Sequence, residues 1–247
     1  MTRAARRRPV IERHKFIPRT KQVVRIDEVV RLATGRRVLH IGMGGYIDDG
    51  DKTDEYIALD MARSLHVRLA GAAGELVGFD INPVVVEAMR KVVPCEYIVG
   101  DLMQPGLPER IGARFDLVVF AEVLEHLDCF RAALGNIRAL LAPGGEVLLT
   151  TVNAYALERI GKMLFGYEAV HDEHTSYFSY ATLRRLLAMN GFEISHFRFA
   201  YEQRHRFAGL AERIAYYSMV ATGKLLPQFS EGVVLTARPA AGALAGR

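Results

Sequence analysis

Short apolar runs that end in glycine or in a carboxylate recur along this chain. Val38, Leu39 and Ile41 run into Gly42, Gly44 and Gly45; Leu76, Val77 and Phe79 run into Asp80; Tyr97, Ile98 and Val99 run into Asp101. Phe115 to Ala121 is apolar except at Asp116, and Gly145 to Thr151 carries Val147, Leu148 and Leu149. Apolar runs of this length, bounded by glycine, proline or acids, predict five strands, and their near-continuous apolarity predicts burial on both faces. Helical spacing fills the gaps. Val23, Ile26, Val29, Val30 and Ala33 predict a helix over Val23 to Leu32 that stops at Gly35, and Thr53 caps one carrying Ile57, Met61, Leu65 and Leu69. Asn82-Pro83 opens another helix, with proline where a missing N–H costs nothing, and Phe130 to Leu141 is a further one. Pro105 and Pro108 mark a loop, and Pro143-Gly144-Gly145 predicts the turn into the fifth strand.

The second half has a different texture. Ala154 to Leu164 has helical spacing, and Phe165 to Ser179 is a polar and aromatic loop holding His171-Asp172-Glu173-His174. Ser179 caps a helix over Tyr180 to Asn190 that Gly191 ends; Phe192 to Phe199 is a sixth strand, Leu210 to Leu226 a helix, and Gly232 to Ala237 a seventh strand. Strands alternating with helices predict an α/β fold, a doubly wound, mostly parallel seven-stranded sheet with helices on both faces. A last strand that returns after a long excursion is expected to pair antiparallel, at the edge. One domain over residues 21–238 is expected, with substrate-lid segments at about 153–180 and 200–228, a basic and disordered arm over 1–20, and a flexible tail over 239–247. Tyr155, Phe165, Tyr167, Tyr177, Phe178, Tyr180, Tyr201, Tyr216 and Tyr217 fall in or beside the lid segments. Aromatics at helical spacing more often belong to a core than to a binding site.

Composition narrows this picture. The chain has 247 residues, 50% of them hydrophobic, which suits one domain with a sizeable core. Much of the net charge of +4 sits in Arg3, Arg6, Arg7, Arg8, Arg13 and Lys15. That reads as a solvated tail or as an arm for anionic lipid or nucleic acid. Without aromatics among the arginines nucleic acid is the less favoured partner, while peripheral membrane contact stays open. Two cysteines, Cys95 and Cys129, give neither a disulfide framework nor a cysteine zinc site, which fits a reducing cytoplasm. With no uncharged apolar run of roughly 18 residues and no secretory signal pattern, no spanning helix is expected. A homodimer is compatible with the sequence.

The candidate chemistry lies at the ends of the runs, because ligands of an open parallel sheet bind beyond its carboxyl edge. The turn after Ile41 brings backbone close to a ligand. A dinucleotide fingerprint would need glycine where Ile47 stands, so a nicotinamide dehydrogenase is a distant third reading. Asp80 can accept from ribose hydroxyls and Asp101 from an exocyclic amine, with Ile81 and Leu102 as apolar walls for a flat ring. Either acid could instead be a turn or cap residue, Asp101 more readily than Asp80.

The ordered motifs VLHIGMGG, VGFDINP, IVGDL, FDLVVFAEVLEHL and LLAPGGEVLLTT together resemble the class I S-adenosylmethionine-dependent methyltransferases from about Arg37 to Thr151. The resemblance resumes weakly at His174 to Ser179 and Leu183 to Phe192. It implies a Rossmann-like methyltransferase fold, with S-adenosyl-L-methionine as cofactor. It implies that Gly42 and Gly44 line the methionine part, Asp80 binds the ribose and Asp101 the adenine, that Ala121 and Glu122 lie along the cofactor, and that His126 faces the substrate. His40 stands where the family has an acid. An imidazole can still hydrogen-bond there but supplies no fixed negative charge, and the acidic stretch Asp48 to Asp54 is a candidate replacement.

Methyl transfer from a sulfonium is an in-line displacement that asks chiefly for positioning, and a hydroxyl acceptor also asks for a base. His126, His171 and His174 are the candidates for that base. His171 and His174 could instead bind a metal, but three-residue spacing without further ligands is thin support, so no metal is expected. The expected function is methylation of a small molecule, most simply O-methylation of a sugar, lipid-linked or secondary-metabolite acceptor. The competing reading is a non-catalytic binding or scaffold protein with a degraded pocket.

Overall fold

The computed structural model describes residues 17–44 and 64–241. The basic arm up to residue 16, the acidic stretch with Ile47, Thr53, Ile57 and Met61, and the last six residues lie outside the described residues. In chain order the elements are β1 (Gln22–Val24), α1 (Arg25–Ala33), β2 (Arg37–Ile41), α2 (Leu65–Ala70), β3 (Glu75–Asp80), α3 (Pro83–Arg90), β4 (Glu96–Val99), α4 (Leu107–Ile111) and β5 (Phe115–Ala121). A 3-10 turn (Leu124–His126), α5 (Phe130–Leu140), β6 (Leu141–Val152), α6 (Leu157–Met163), α7 (Tyr180–Met189), β7 (Phe192–Tyr201), α8 (Leu210–Leu225) and β8 (Gly232–Pro239) follow.

The strands form a single sheet in the order β1-β7-β8-β6-β5-β2-β3-β4. All neighbours are parallel except β8, which is antiparallel to both β6 and β7. The direction of winding reverses between β2 and β5, which makes their carboxyl ends the topological switch point. The sheet has eight strands, not the expected seven. The extra one is β1, three residues where a helix was expected to begin, paired with Phe199 to Tyr201. The last strand is antiparallel as expected, yet it inserts between β6 and β7 and not at the edge. Six consecutive buried residues, Gly232 to Ala237, suit that interior position better than an exposed rim.

Helices cover both faces. Leu134 and Ile137 of α5 and Leu183 and Leu187 of α7 pack with Phe79, Phe120 and Leu149 on one face. Val29 and Ala33 of α1 and Leu69 of α2 pack with Leu117, Val119 and Leu148 on the other. Leu117 to Phe120 are wholly inaccessible, and burying a side chain such as Phe120 contributes about 1.5–3 kcal/mol. The local signals hold at α3, where the Asn82 side chain accepts the Val84 N–H, and at α7, where Ser179 and Thr182 form a capping box. Boundaries shift where pairing decides. β4 stops at Val99, so Asp101 stands in a turn and not at a strand end. β6 already begins at Leu141, opposite Phe115, and absorbs Pro143 to Gly145 as a register shift, with Gly144 at φ +78°.

Candidate functional site

The carboxyl ends of β2, β3, β4 and β5 meet at the switch point. At the turn after β2, Gly42 has φ +73° and donates its N–H to Phe79 O at 3.0 Å. Asp80 at the end of β3 fastens this turn. Its Oδ2 accepts the N–H groups of Met43 at 2.9 Å and Gly44 at 3.4 Å, and its Oδ1 accepts that of Asn82 at 3.0 Å. A Cβ on Gly42 would overlap the Val123 side chain, and one on Gly44 would overlap Val85. Both glycines are therefore required by the protein's own packing. Asp101 Oδ1 accepts the Met103 N–H at 2.8 Å, and Leu102 is buried in the core. Ile81, beside Asp80, keeps 66% of its surface uncovered and offers a free apolar face.

His40 faces elsewhere. It is buried, and its Nδ1 lies 3.0 Å from Nδ1 of His66 on α2 in a stacked pair. His66 Nε2 lies 3.5 Å from Cys95 Sγ. Burial holds His40 well below the usual histidine range and pushes His66 down to about 4, so both rings are neutral near pH 7. Nothing in the spacing of His66 signalled this pairing, which is made between β2 and a helix packed on the face of the sheet.

At the end of β5, Ala121 is buried and Glu122 has φ +52°, an uncommon conformation for a side chain of its size. Its N–H donates to Thr150 O at 3.0 Å and its Oε1 accepts Thr150 Oγ1 at 2.7 Å. Glu125 is fully buried. Thr151 Oγ1 donates to its Oε2 at 3.0 Å while Oε1 has no partner among the described residues, and burial, with Glu122 nearby, pushes this carboxyl up to about 7. The carbonyl of Glu125 accepts the Thr175 N–H at 2.9 Å and Oγ1 at 3.0 Å, which ties the His171–His174 loop to the β5 end.

That tie brings together the three histidines the sequence offered as alternatives. The ring of His126 stands 4.7 Å from His174 and 6.1 Å from His171, and those two are 5.2 Å apart. His126 Nδ1 faces Glu173 Oε2 at 3.7 Å. Burial, reinforced by the neighbouring histidines, lowers the His174 pKa. Among the described residues no three His, Cys, Asp or Glu side chains are arranged to hold a metal ion. Of the expected lid aromatics, Phe178 and Tyr216 are core residues, whereas Phe165 and Tyr167 are largely exposed. Sequence reasoning did not single out Glu125, His66 or Arg159; each owes its interest to partners distant along the chain.

An open, mostly parallel sheet with a glycine turn fastened by an acid at its switch point defines a nucleotide-type α/β binding fold. The chain belongs to the methyltransferase-domain family, whose model matches residues 20–196. Among similar proteins is the ubiquinone biosynthesis O-methyltransferase of Azotobacter vinelandii, 30% identical over 143 residues, 55% of this chain and 54% of that protein. The protein of the same name from Pseudomonas entomophila is 29% identical over 145 residues, again 55% and 54%. The match spans about half the length of these relatives. Solved structures share the fold. A putative methyltransferase of Haloferax volcanii, determined with a methyltransferase activator, has a TM-score of 0.57 at 14% identity, covering 87% of this chain and 88% of that one. The N-methyltransferase NodS of Bradyrhizobium japonicum, in complex with S-adenosyl-L-homocysteine, has a TM-score of 0.53 at 16% identity, covering 87% and 85%. The chain is thus a member of a methyltransferase family, and S-adenosylmethionine is the cofactor against which its site is tested. The donor set does fit. A carboxylate offers about four acceptor positions, Asp80 uses three on backbone N–H groups, and one on Oδ1 stays open for a hydroxyl. Among the described residues no helix is long and apolar enough to cross a membrane.

Proposed function

We propose that this protein moves a methyl group from S-adenosylmethionine to a hydroxyl of a small acceptor, such as a sugar, a lipid-linked compound or a secondary metabolite, with His126 as general base. When bound, the cofactor supplies a methyl group already activated on a sulfonium. In this reading Asp80 accepts a ribose hydroxyl at Oδ1, Asp101 and Ile81 receive the adenine, and the turn at Gly42 and Gly44 bounds the methionine end with Ala121 and Glu122.

The observation that carries the proposal is the histidine cluster at the end of β5. His126 Nδ1 is turned toward Glu173, which leaves Nε2 to take the acceptor's proton, while Glu173 stabilises the imidazolium that forms. His174 and His171 crowd the same ring, and burial lowers the His174 pKa, which favours its neutral form. The names of the curated relatives support a hydroxyl acceptor. An apolar tail on it has support as well. A cavity of about 450 Å³ between α6 and α8 is lined partly by Leu157, Ala215, Tyr216 and Met219. Met163, Leu164 and Phe165 stand uncovered at the end of α6.

Calorimetric titration with S-adenosylhomocysteine tests the first half: no heat at millimolar ligand rejects it. His126→Gln tests the second. It is expected to lower kcat by about 10²–10⁴ with S-adenosylhomocysteine affinity unchanged; an unaltered kcat removes His126 as base. Cofactor binding with no transfer to any hydroxyl acceptor would favour the non-catalytic reading.

A further inference from the structure

On the acceptor side of the sheet, away from Asp80 and Asp101, the carboxyl ends of β6 and β7 and the start of β8 enclose a second cavity of about 220 Å³. Two guanidinium groups reach it, Arg25 and Arg159, together with the carboxylates of Glu122, Glu202 and Glu231. Most of these charges already have partners. Arg25 pairs with Glu202 at 2.6 Å, Glu231 with Arg204 at 3.1 Å, and Glu122 accepts Thr150 Oγ1.

Arg159 does not fit this pattern. Among the described residues it forms no ion pair. Its Nη1 only grazes the carbonyls of Asn153 and Glu231, each at 3.5 Å, and its Nε–H is buried without a partner. The guanidinium lies 5.1 Å over the ring of Tyr177, whose ring stands 5.9 Å from that of His174. The Tyr177 hydroxyl donates to Ala169 O at 3.1 Å, which fixes the ring beneath the cation. An unmade hydrogen bond at a buried donor is costly, and the half-buried guanidinium presents a planar fork that matches a carboxylate. Its ring contact holds that fork in one plane.

Resting on the reading of a hydroxyl acceptor given above, we propose that the acceptor also carries a carboxylate and that Arg159 binds it, which makes Arg159 a residue that determines acceptor specificity. Tyr177 orients the guanidinium, and the chain of contacts from Arg159 through Tyr177 and His174 to His126 sets the carboxylate on the far side of the acceptor from the hydroxyl that reacts. The volume suits a single small ring or a short chain, not a large headgroup.

The test compares two matched probes, a dihydroxybenzene and the same ring bearing a carboxylate. Equilibrium binding of each to the protein with S-adenosylhomocysteine is measured, which reads recognition whether or not turnover occurs. The acid is expected to bind about 10- to 100-fold more tightly than the neutral ring. Arg159→Gln should abolish that preference and leave the neutral ring and S-adenosylhomocysteine binding as before. Arg159→Lys should retain part of it, since the charge stays and the fork is lost. Where methyl transfer is seen, Arg159→Gln should raise KM for the acid with little change in kcat. Equal binding of the two rings by the unaltered protein, or an equal loss for both in Arg159→Gln, overturns the proposal. Selective binding of the acid without methyl transfer would overturn only the catalytic reading on which it rests.

Discussion

The buried His40–His66 pair is the clearest case of one residue changing what a motif position does. Of two neutral imidazoles with Nδ1 atoms 3.0 Å apart, one donates and the other accepts; a proton added to either ring buries a charge, and one added at the accepting Nδ1 also breaks the bond. The unfolded chain takes up a proton at His66 near pH 6.5, the folded one only near 4. Because the folded pKa is depressed, the stability this ring contributes is present above pH 6.5 and is lost as pH falls toward 4, by about 3 kcal/mol. Urea midpoints at pH 7 and pH 4.5 read this directly. His66→Gln should show a shallower acid loss than the unaltered protein, and identical slopes would dismiss the pair as an acid-sensitive element. Asp80 yields a second expectation. In Asp80→Asn an NH₂ must face a backbone N–H at one oxygen position or the other, so the glycine turn loosens. A loss of about 1–3 kcal/mol is expected, together with weaker S-adenosylhomocysteine binding. Binding as tight as before would separate Asp80 from the cofactor. Asp80 and the glycines were legible from spacing alone. The direction of the His40 ring was not, because His66 lies 26 residues away on another element.

Elements with strong local chemistry formed where the sequence put them. β5 covers the predicted seven residues, since an apolar run with one acid has no better place than the centre of a covered sheet. α7 starts at its cap, where Ser179 Oγ accepts the Thr182 N–H at 3.3 Å and the Ser179 N–H donates to Thr182 Oγ1 at 2.8 Å. Ser179→Ala should therefore cost about 1 kcal/mol, read as a lower melting temperature, while an unchanged melt would show that packing alone holds the helix. Elements whose limits depend on a partner were less legible. β1 exists because β7 offers an open edge to Gln22 through Val24, and α6 starts only at Leu157 because the Asn153 side chain accepts the Tyr155 N–H and holds a turn before it.

For the whole molecule the position of β8 matters most. It supplies both ladders that join β6 to β7, so β7, β1 and the helices leaning on them depend on it. A chain ending at Glu231 is expected to lose cooperative unfolding and S-adenosylhomocysteine binding together, as seen by denaturant titration. A truncated chain that still unfolds in one sharp step would mean the first half is an independent unit. The same topology divides the molecule into a half in which Asp80 and Asp101 sit on or beside consecutive strands and a half assembled from β6, β7 and β8 and their loops.

The sequence by itself determined the class of fold, most of its elements and the glycine turn beside Asp80, because each rests on short-range facts: apolar period, turn residues and an acid at the end of a run. The surroundings of the histidine cluster and of Arg159 were decided by tertiary structure. Glu125 became a buried carboxyl, three histidines became one cluster and Arg159 became a cation without an anion among the described residues only when strands far apart in the chain lay side by side. Burial and charge pairing are properties of neighbours, and the identity of neighbours is what folding supplies.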